Sequence, residues 1–168
     1  MGIDYSLSPG TICAIAERSP DGKQLIFSVF DPGKGRGREL TRFDIDDPQA
    51  DYYAYGFDLS PQGDRLAVLK APTGHIDILS LTGRPRQSFT VKDYNFGLDW
   101  AADGKGLFTS SHLHGGAALL HVDLQGNAHV LWVLKGGLLV VGLPSPDGRR
   151  LVMEGATMNS NVWMVESF

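Results

Sequence analysis

The sequence has one cysteine and no apolar run long enough to cross a bilayer. Cys13 stands alone, so no disulfide can form within the chain, and its apolar neighbours predict a small buried thiol. The longest mostly apolar stretch, residues 130–143, is interrupted by Lys135, Gly136 and Gly137. A membrane-spanning helix needs about 20 apolar residues, so we expect no membrane insertion. The absence of disulfides fits a cytoplasm and does not exclude a periplasm, so the compartment stays open.

The sequence also has no excess of basic residues. It contains 15 Lys and Arg against 19 Asp and Glu, which gives a formal net charge of −4. A nucleic-acid-binding protein usually carries a concentrated basic surface, because contacts to phosphate supply most of its affinity. The local basic cluster of Lys34, Arg36 and Arg38 is typical of a solvated loop. We therefore expect no nucleic-acid partner.

Helical periodicity is scarce, whereas glycine and proline are frequent. The 168 residues include 21 glycines and 9 prolines, and 42% of the chain is hydrophobic. This length suits a single domain with a sizeable core. Many short apolar segments separated by turn residues predict an all-β protein.

One turn motif occurs four times at nearly constant spacing. The copies begin 41, 41 and 44 residues apart, and each is followed by a polar pair and an apolar strand. The four turns are Ser19–Gly22, Ser60–Gly63, Ala101–Gly104 and Ser145–Gly148. Proline suits the second position of a type I turn, and glycine accepts the positive φ that closes it. The third copy has Ala102 instead of proline but keeps Asp103 and its glycine, so we expect the turn to persist there.

A period near 41 residues with four strands per unit is typical of β-propellers. Several strands are continuous apolar runs, which favours sheets that are buried on both faces by neighbouring sheets. We therefore predict a β-propeller built of four four-stranded blade repeats in a single domain, residues 1–168, with a β-sandwich as the alternative fold. The repeats are predicted at about 11–54, 55–95, 96–137 and 138–168.

The fourth repeat leaves an open question about how the ring closes. Its predicted strands are 138–143, 151–154 and Asn161–Glu166, so an outermost strand is missing. The segment 3–7 is a candidate closing strand that would pair with Asn161–Glu166 and hide two strand edges. The alternatives are a compact four-bladed ring, a homodimer that closes a larger ring, and a piece of a larger propeller.

The Ser-Pro-Asp-Gly turn followed by an apolar strand resembles the WD-like propeller repeats of TolB-type proteins. The segments Leu120–Asn127 and Asn159–Met164 are similar to the C-terminal part of large bacterial sensor proteins. Those proteins often join such a propeller to a serine/threonine kinase or a winged-helix domain, and neither domain lies in this sequence. The resemblance implies a non-catalytic protein- or ligand-binding module of a bacterial signalling or envelope protein, in the periplasm or the cytoplasm.

Aromatic residues are the clearest candidates for ligand binding. Tyr52, Tyr53, Tyr55 and Tyr94 precede the second and third turns, where exposed rings at a sheet edge would form a platform for a protein or small ligand. Core packing is the alternative role for the same residues.

Metal, cofactor and catalytic signatures are weak in this sequence. His112 and His114 are weak candidates for zinc or copper ligands, but no further ligand stands at a recognisable spacing, so we predict no metal site and no cofactor. No Gly-x-Ser-x-Gly nucleophile motif occurs, and we predict that the chain is not an enzyme. Asp58 and Asp99 share one repeat position, which favours structural contacts to neighbouring backbone groups. A propeller accessory to a prolyl-oligopeptidase-like hydrolase remains the alternative function.

Overall fold

The computed structural model describes residues 4–7, 13–47, 49, 54–93 and 95–158, with backbone only for 4–7. These residues form fourteen β-strands and one short 3-10 turn, Ala71–Thr73. The strands are β1 Asp4–Leu7, β2 Cys13–Arg18, β3 Gln24–Asp31, β4 Gly35–Asp44, β5 Tyr55–Leu59, β6 Arg65–Lys70, β7 His75–Ser80, β8 Gln87–Thr90, β9 Asn95–Trp100, β10 Gly106–Leu113, β11 Gly116–Asp123, β12 Ala128–Lys135, β13 Gly137–Pro144 and β14 Leu151–Thr157. Within the described ranges no helical segment could span a lipid bilayer.

The strands form four antiparallel sheets in chain order, which we call sheets 1 to 4. Sheet 1 contains β1–β4, sheet 2 β5–β8, sheet 3 β9–β12 and sheet 4 β13–β14. The all-β prediction is confirmed, and a four-stranded sheet lies at each of the second and third predicted repeats. The strand expected at Asn161–Glu166 lies outside the described residues.

The four repeated turns have the expected geometry. In each turn the glycine N–H donates to the carbonyl oxygen three residues earlier, at 2.8 to 2.9 Å. The glycine φ angles lie between 67° and 72°, in the left-handed region. Three of the turns add a serine whose Oγ accepts a backbone N–H five residues later, as Ser60 does from Arg65 at 3.0 Å. These local hydrogen bonds explain why the Ser-x-x-Gly pattern recurs.

In sheet 1 the hairpin that contains the repeated turn occupies a different place from its counterparts in sheets 2 and 3. The pairing of 3–7 with Asn161–Glu166 involves residues outside the described ranges and stays a prediction. Asp4–Leu7 pairs with β2 and lies beside β5 at the inner edge. The turn Ser19–Gly22 therefore joins the second and third strands of sheet 1, whereas Ser60–Gly63 and Ala101–Gly104 join the first and second strands of their sheets. Adjacent strands are antiparallel, so moving this hairpin outward by one strand reverses its direction.

The reversal changes which face of sheet 1 contacts sheet 2. Phe57 and Leu98 occupy matching positions in sheets 2 and 3, and both pack toward the preceding sheet. Ala16 is the matching residue of sheet 1, yet it packs toward the following sheet. The Phe27 ring meets the Phe57 ring edge-on at a centroid distance of 5.1 Å. Sheet 1 is therefore turned over relative to the other sheets.

Three apolar cores lie between successive sheets. The cores between sheets 1 and 2 and between sheets 2 and 3 are extensive. The core between sheets 3 and 4 is much smaller, and its buried members are Ala117, Leu119 and Val140. Among the described residues no extensive contact joins sheet 1 to sheet 4, so the four sheets form an open arc.

Candidate ligand-binding groove

The tyrosines predicted as a ligand platform are only partly visible in the structure. Tyr55 lies half-buried between sheets 1 and 2, with its ring edge-on to the Phe43 ring at a centroid distance of 6.2 Å. Tyr52, Tyr53 and Tyr94 lie outside the described residues. Tyr55 thus contributes to packing between sheets, and the proposed platform stays a prediction.

His112 and His114 lie at the hairpin that joins β10 to β11. The His112 ring packs against the Phe96 ring at a centroid distance of 5.0 Å, and His114 is exposed in the turn. Among the residues that the structure describes, no group of three or more His, Cys, Asp or Glu side chains is arranged to hold a metal ion.

Asp58, one of the repeated aspartates of the inner strands, makes a structural contact to a neighbouring backbone group, as expected. Asp58 of sheet 2 accepts the backbone N–H of Trp100 in sheet 3 at 2.7 Å through Oδ2. The Trp100 indole Nε1 also donates to the carbonyl oxygen of Asp58 at 3.1 Å. Asp58 therefore ties the inner strands of two neighbouring sheets together.

An arginine and a tryptophan fill the space between sheets 2 and 3 at the end of the sheets where the repeated turns lie. The Arg65 guanidinium lies 4.6 Å from the centroid of the Trp100 ring. Its NH2 group donates to the carbonyl oxygen of Gly104 in the next turn at 2.9 Å. Gln62 also approaches Gly104, because a Cβ at that glycine would lie 2.5 Å from the Gln62 Oε1. Side chains from both sheets therefore occupy the space between these two turns.

The corresponding junction between sheets 3 and 4 lacks these side chains. Gly106 stands at the position of Arg65, counted from the turn, and Pro144 stands at the position of Trp100. A groove of about 490 Å³ lies at this junction, and Pro144 is one of the residues that line it. The two turns approach each other at the rim, since a Cβ added at Gly148 would lie 3.4 Å from the Ala102 Cβ.

The floor of the groove consists of Phe108 of β10 and His121 of β11. Their rings are tilted against each other with centroids 5.3 Å apart. The position of Gly106 is too crowded for a side chain, because a Cβ there would lie 2.5 Å from His121 Nε2 and 2.8 Å from the carbonyl oxygen of Val122. The packing of His121 over the glycine backbone therefore explains why residue 106 is a glycine and the junction stays open.

Charged residues of both turns line the groove. Asp103 lies on the sheet 3 side, and Asp147, Arg149 and Arg150 lie on the sheet 4 side. Asp147 Oδ1 accepts the Ser145 hydroxyl at 2.6 Å and the Arg149 backbone N–H at 3.0 Å. These hydrogen bonds hold the pKa of the Asp147 carboxyl below its usual value, so it is ionised at neutral pH.

The sequence did not predict this groove, although the third repeat differs from the others at one position beside it. Lys105–Gly106 is the one polar pair whose second residue is a glycine. Only the structure shows that this position faces the neighbouring sheet. Outside the groove, exposed apolar side chains cluster on the outer strands of sheets 3 and 4, including Val130 and Trp132 of β12 and Val152 and Met153 of β14.

No protein-family model matches the sequence, and no curated protein matches it significantly. Solved structures do match. TolB from Acinetobacter baumannii is 18% identical with a TM-score of 0.66, over 95% of this chain and 39% of that one. A chain of the nidogen/laminin complex is 12% identical with a TM-score of 0.57, over 92% and 65%. The periplasmic gluconolactonase PpgL of Pseudomonas aeruginosa is 15% identical with a TM-score of 0.50, over 90% and 49%.

These likenesses establish the fold. The chain is a partial β-propeller. It spans less than two thirds of each of these three proteins. At such low identities the likeness shows the fold and carries no residue roles.

Proposed function

We propose that the chain is a non-catalytic propeller module that binds a small ligand in the groove between sheets 3 and 4. The supporting observation is the groove of about 490 Å³ itself, which is lined by Pro144 at the position where Trp100 fills the previous junction. That volume falls within the range of small-molecule sites, which combine an apolar surface with a few polar groups. Such a module would serve as the sensing part of a bacterial signalling or envelope protein.

The proposal is tested by filling the groove. Pro144→Trp introduces at this junction the residue type that Trp100 supplies between sheets 2 and 3. Ala102→Phe fills the groove from the sheet 3 side. Arg38→Trp, on the exposed face of β4, is the control. A small-molecule library is screened by two-dimensional amide NMR of the wild-type chain.

We expect compounds that shift the amides of Phe108, His121 and Leu151, which line the groove. Binding should be lost in both groove-filling variants and kept in the control. If no compound shifts these amides, or if the compounds bind the filled variants as tightly as the wild type, the groove is not a ligand site.

A second candidate is hydrolysis of a lactone in the same groove. It is favoured by His121 lying in a groove with two carboxylates, and by the likeness to a protein named as a gluconolactonase. Against it, Asp147 accepts two hydrogen bonds from its own turn and has a lowered pKa, which makes it a weak general base. Hydrolysis of gluconolactone above the uncatalysed rate that disappears in His121→Gln would favour this candidate over the non-catalytic proposal.

A further inference from the structure

His121 is a polar residue at a position that is apolar in the neighbouring sheet. Phe108 and His121 are directly paired across β10 and β11, and the matching pair of sheet 2, counted from the turn, is Ala67 and Ile78. Ala67 is 0% and Ile78 is 2% exposed, in the apolar core between sheets 2 and 3. Sheet 3 therefore carries an imidazole where sheet 2 carries an isoleucine. A polar group at such a position needs a hydrogen-bond partner, because burying it unpaired costs free energy.

The His121 ring has no such partner in the part of the chain that the structure describes. Neither of its ring nitrogens forms a hydrogen bond there, whereas the His75 ring lies 3.2 Å from Thr90 Oγ1. No His121 atom is among the enclosed polar atoms that lack a hydrogen bond. Both ring nitrogens therefore keep accessible surface, and His121 lines the groove.

The surfaces beside the imidazole are apolar and suit a flat ring. The Phe108 ring is tilted against the His121 ring with centroids 5.3 Å apart. On the other side of the groove Pro144 and Leu151 are directly paired across β13 and β14, so they share one face of sheet 4. Leu151 packs against the small core between sheets 3 and 4, as Phe108 does, so that face is the one toward sheet 3. An aromatic ligand could pack against Phe108 as aromatic side chains do, at centroid distances of about 4.5 to 7 Å.

We propose that the ligand of this groove is a small aromatic compound with a hydroxyl group on its ring. The ring lies against Phe108 and Leu151, and the hydroxyl group forms a hydrogen bond with the His121 imidazole. A neutral imidazole has one nitrogen that donates and one that accepts, and a hydroxyl group can do both, so it suits either nitrogen. This inference rests on the proposed function, because it names the ligand class and the polar anchor of the same groove.

Phenol and toluene separate the hydrogen bond from the apolar contacts. The two molecules have the same ring and nearly the same size, but phenol has a hydroxyl group where toluene has a methyl group. A purely apolar groove would favour toluene, because the hydroxyl group of phenol would lose its hydrogen bonds to water. A preference for phenol therefore requires a polar partner inside the groove, and His121 is the residue that we assign to this role.

The test is an amide NMR titration of the whole chain with phenol and with toluene. We expect phenol to shift the His121 and Leu151 amides and to bind about threefold or more tightly than toluene, as one net hydrogen bond allows. Phenol should also shift the ring nitrogen signals of His121 more than toluene does. His121→Phe keeps an aromatic ring without the nitrogens, so the preference for phenol should vanish. His114→Phe, in the exposed turn between β10 and β11, is the matched control and should retain it.

The failures of the two proposals are distinguishable. If toluene binds as tightly as phenol and Pro144→Trp blocks both, the groove binds ligands but the hydroxyl assignment is wrong. If neither compound shifts groove amides while the library screen finds other groove ligands, this inference fails and the proposed function stands. If the library screen also finds nothing, both fail. A preference for phenol that persists in His121→Phe overturns the role of His121. If that variant does not fold, ring nitrogen signals of His121 that phenol leaves unchanged in the wild type overturn it equally.

Discussion

The buried carboxylate of Asp77 offers a sharp test of how sheets 1 and 2 are held. Its side chain is 1% exposed on β7. Arg86 Nε lies 2.8 Å from Oδ1 and Arg86 NH2 lies 2.7 Å from Oδ2, which is a two-pronged ion pair. The same guanidinium lies 5.3 Å from the centroid of the Phe43 ring of sheet 1. Arg86 therefore neutralises a buried charge and touches the neighbouring sheet.

Arg86→Met should leave the Asp77 carboxylate without its main partner. Removing one member of a fully buried pair costs about 3 to 5 kcal/mol. The Arg86 side chain is 53% exposed, so water can reach the carboxylate once the guanidinium is gone. We therefore expect a loss of about 2 to 3 kcal/mol in the free energy of unfolding, below the fully buried range. His75 Nε2, 3.4 Å from Oδ1, offers a partial replacement.

The measurement is urea unfolding followed by tryptophan fluorescence, with the slope checked for two-state behaviour. Arg84→Met is the matched control, because Arg84 is exposed and forms no ion pair in the described part of the chain. Asp77→Asn combined with Arg86→Met should recover about 1 kcal/mol or more relative to additivity, since no charge is left buried. Additive single effects, or an Arg86→Met loss equal to that of Arg84→Met, would refute this account.

Three further predictions concern the turns and the sheet junctions. Asp58→Ala should lower the free energy of unfolding by about 1 to 3 kcal/mol in urea unfolding, because the buried Trp100 N–H loses its acceptor; an unchanged unfolding midpoint would contradict it. Gly104→Val and Gly63→Val should each cost about 1 to 3 kcal/mol, since a β-branched residue is strained at φ of 67° and 69°; unchanged melting temperatures for both would show that the turns tolerate side chains. The lowered pKa of Asp147 stabilises the folded state above the ordinary carboxyl pKa of about 4, and this contribution is lost as the pH falls through the folded-state value. The melting temperature of Asp147→Asn should therefore lie below that of the wild type at pH 7 and converge with it toward pH 2, and a constant difference would contradict the linkage.

The residue pattern predicted the strands and turns because their causes are local. The Ser60–Gly63 turn is held by hydrogen bonds between residues at most five positions apart, so its sequence suffices to specify it. The apolar run of β6 indicated burial on both faces, and this strand lies between neighbouring sheets. The structural role of the repeated aspartate was also predictable, since Asp58 needs only the next repeat as its partner.

Two features were decided only by the tertiary structure. The local residue pattern does not specify which strand occupies the inner edge of sheet 1, because any extended segment can satisfy the backbone hydrogen bonds along the edge of β2 that β3 leaves open. The pairing of Asp4–Leu7 with β2 shifts that hairpin outward and turns its face over. The groove likewise depends on residues distant in sequence, since Phe108 and His121 of sheet 3 and Pro144 of sheet 4 line it together only because the sheets place them at one junction. Local hydrogen bonds thus determined the repeated turns. The shape of the groove was determined by which strands and sheets lie next to each other, and those contacts join residues distant in sequence.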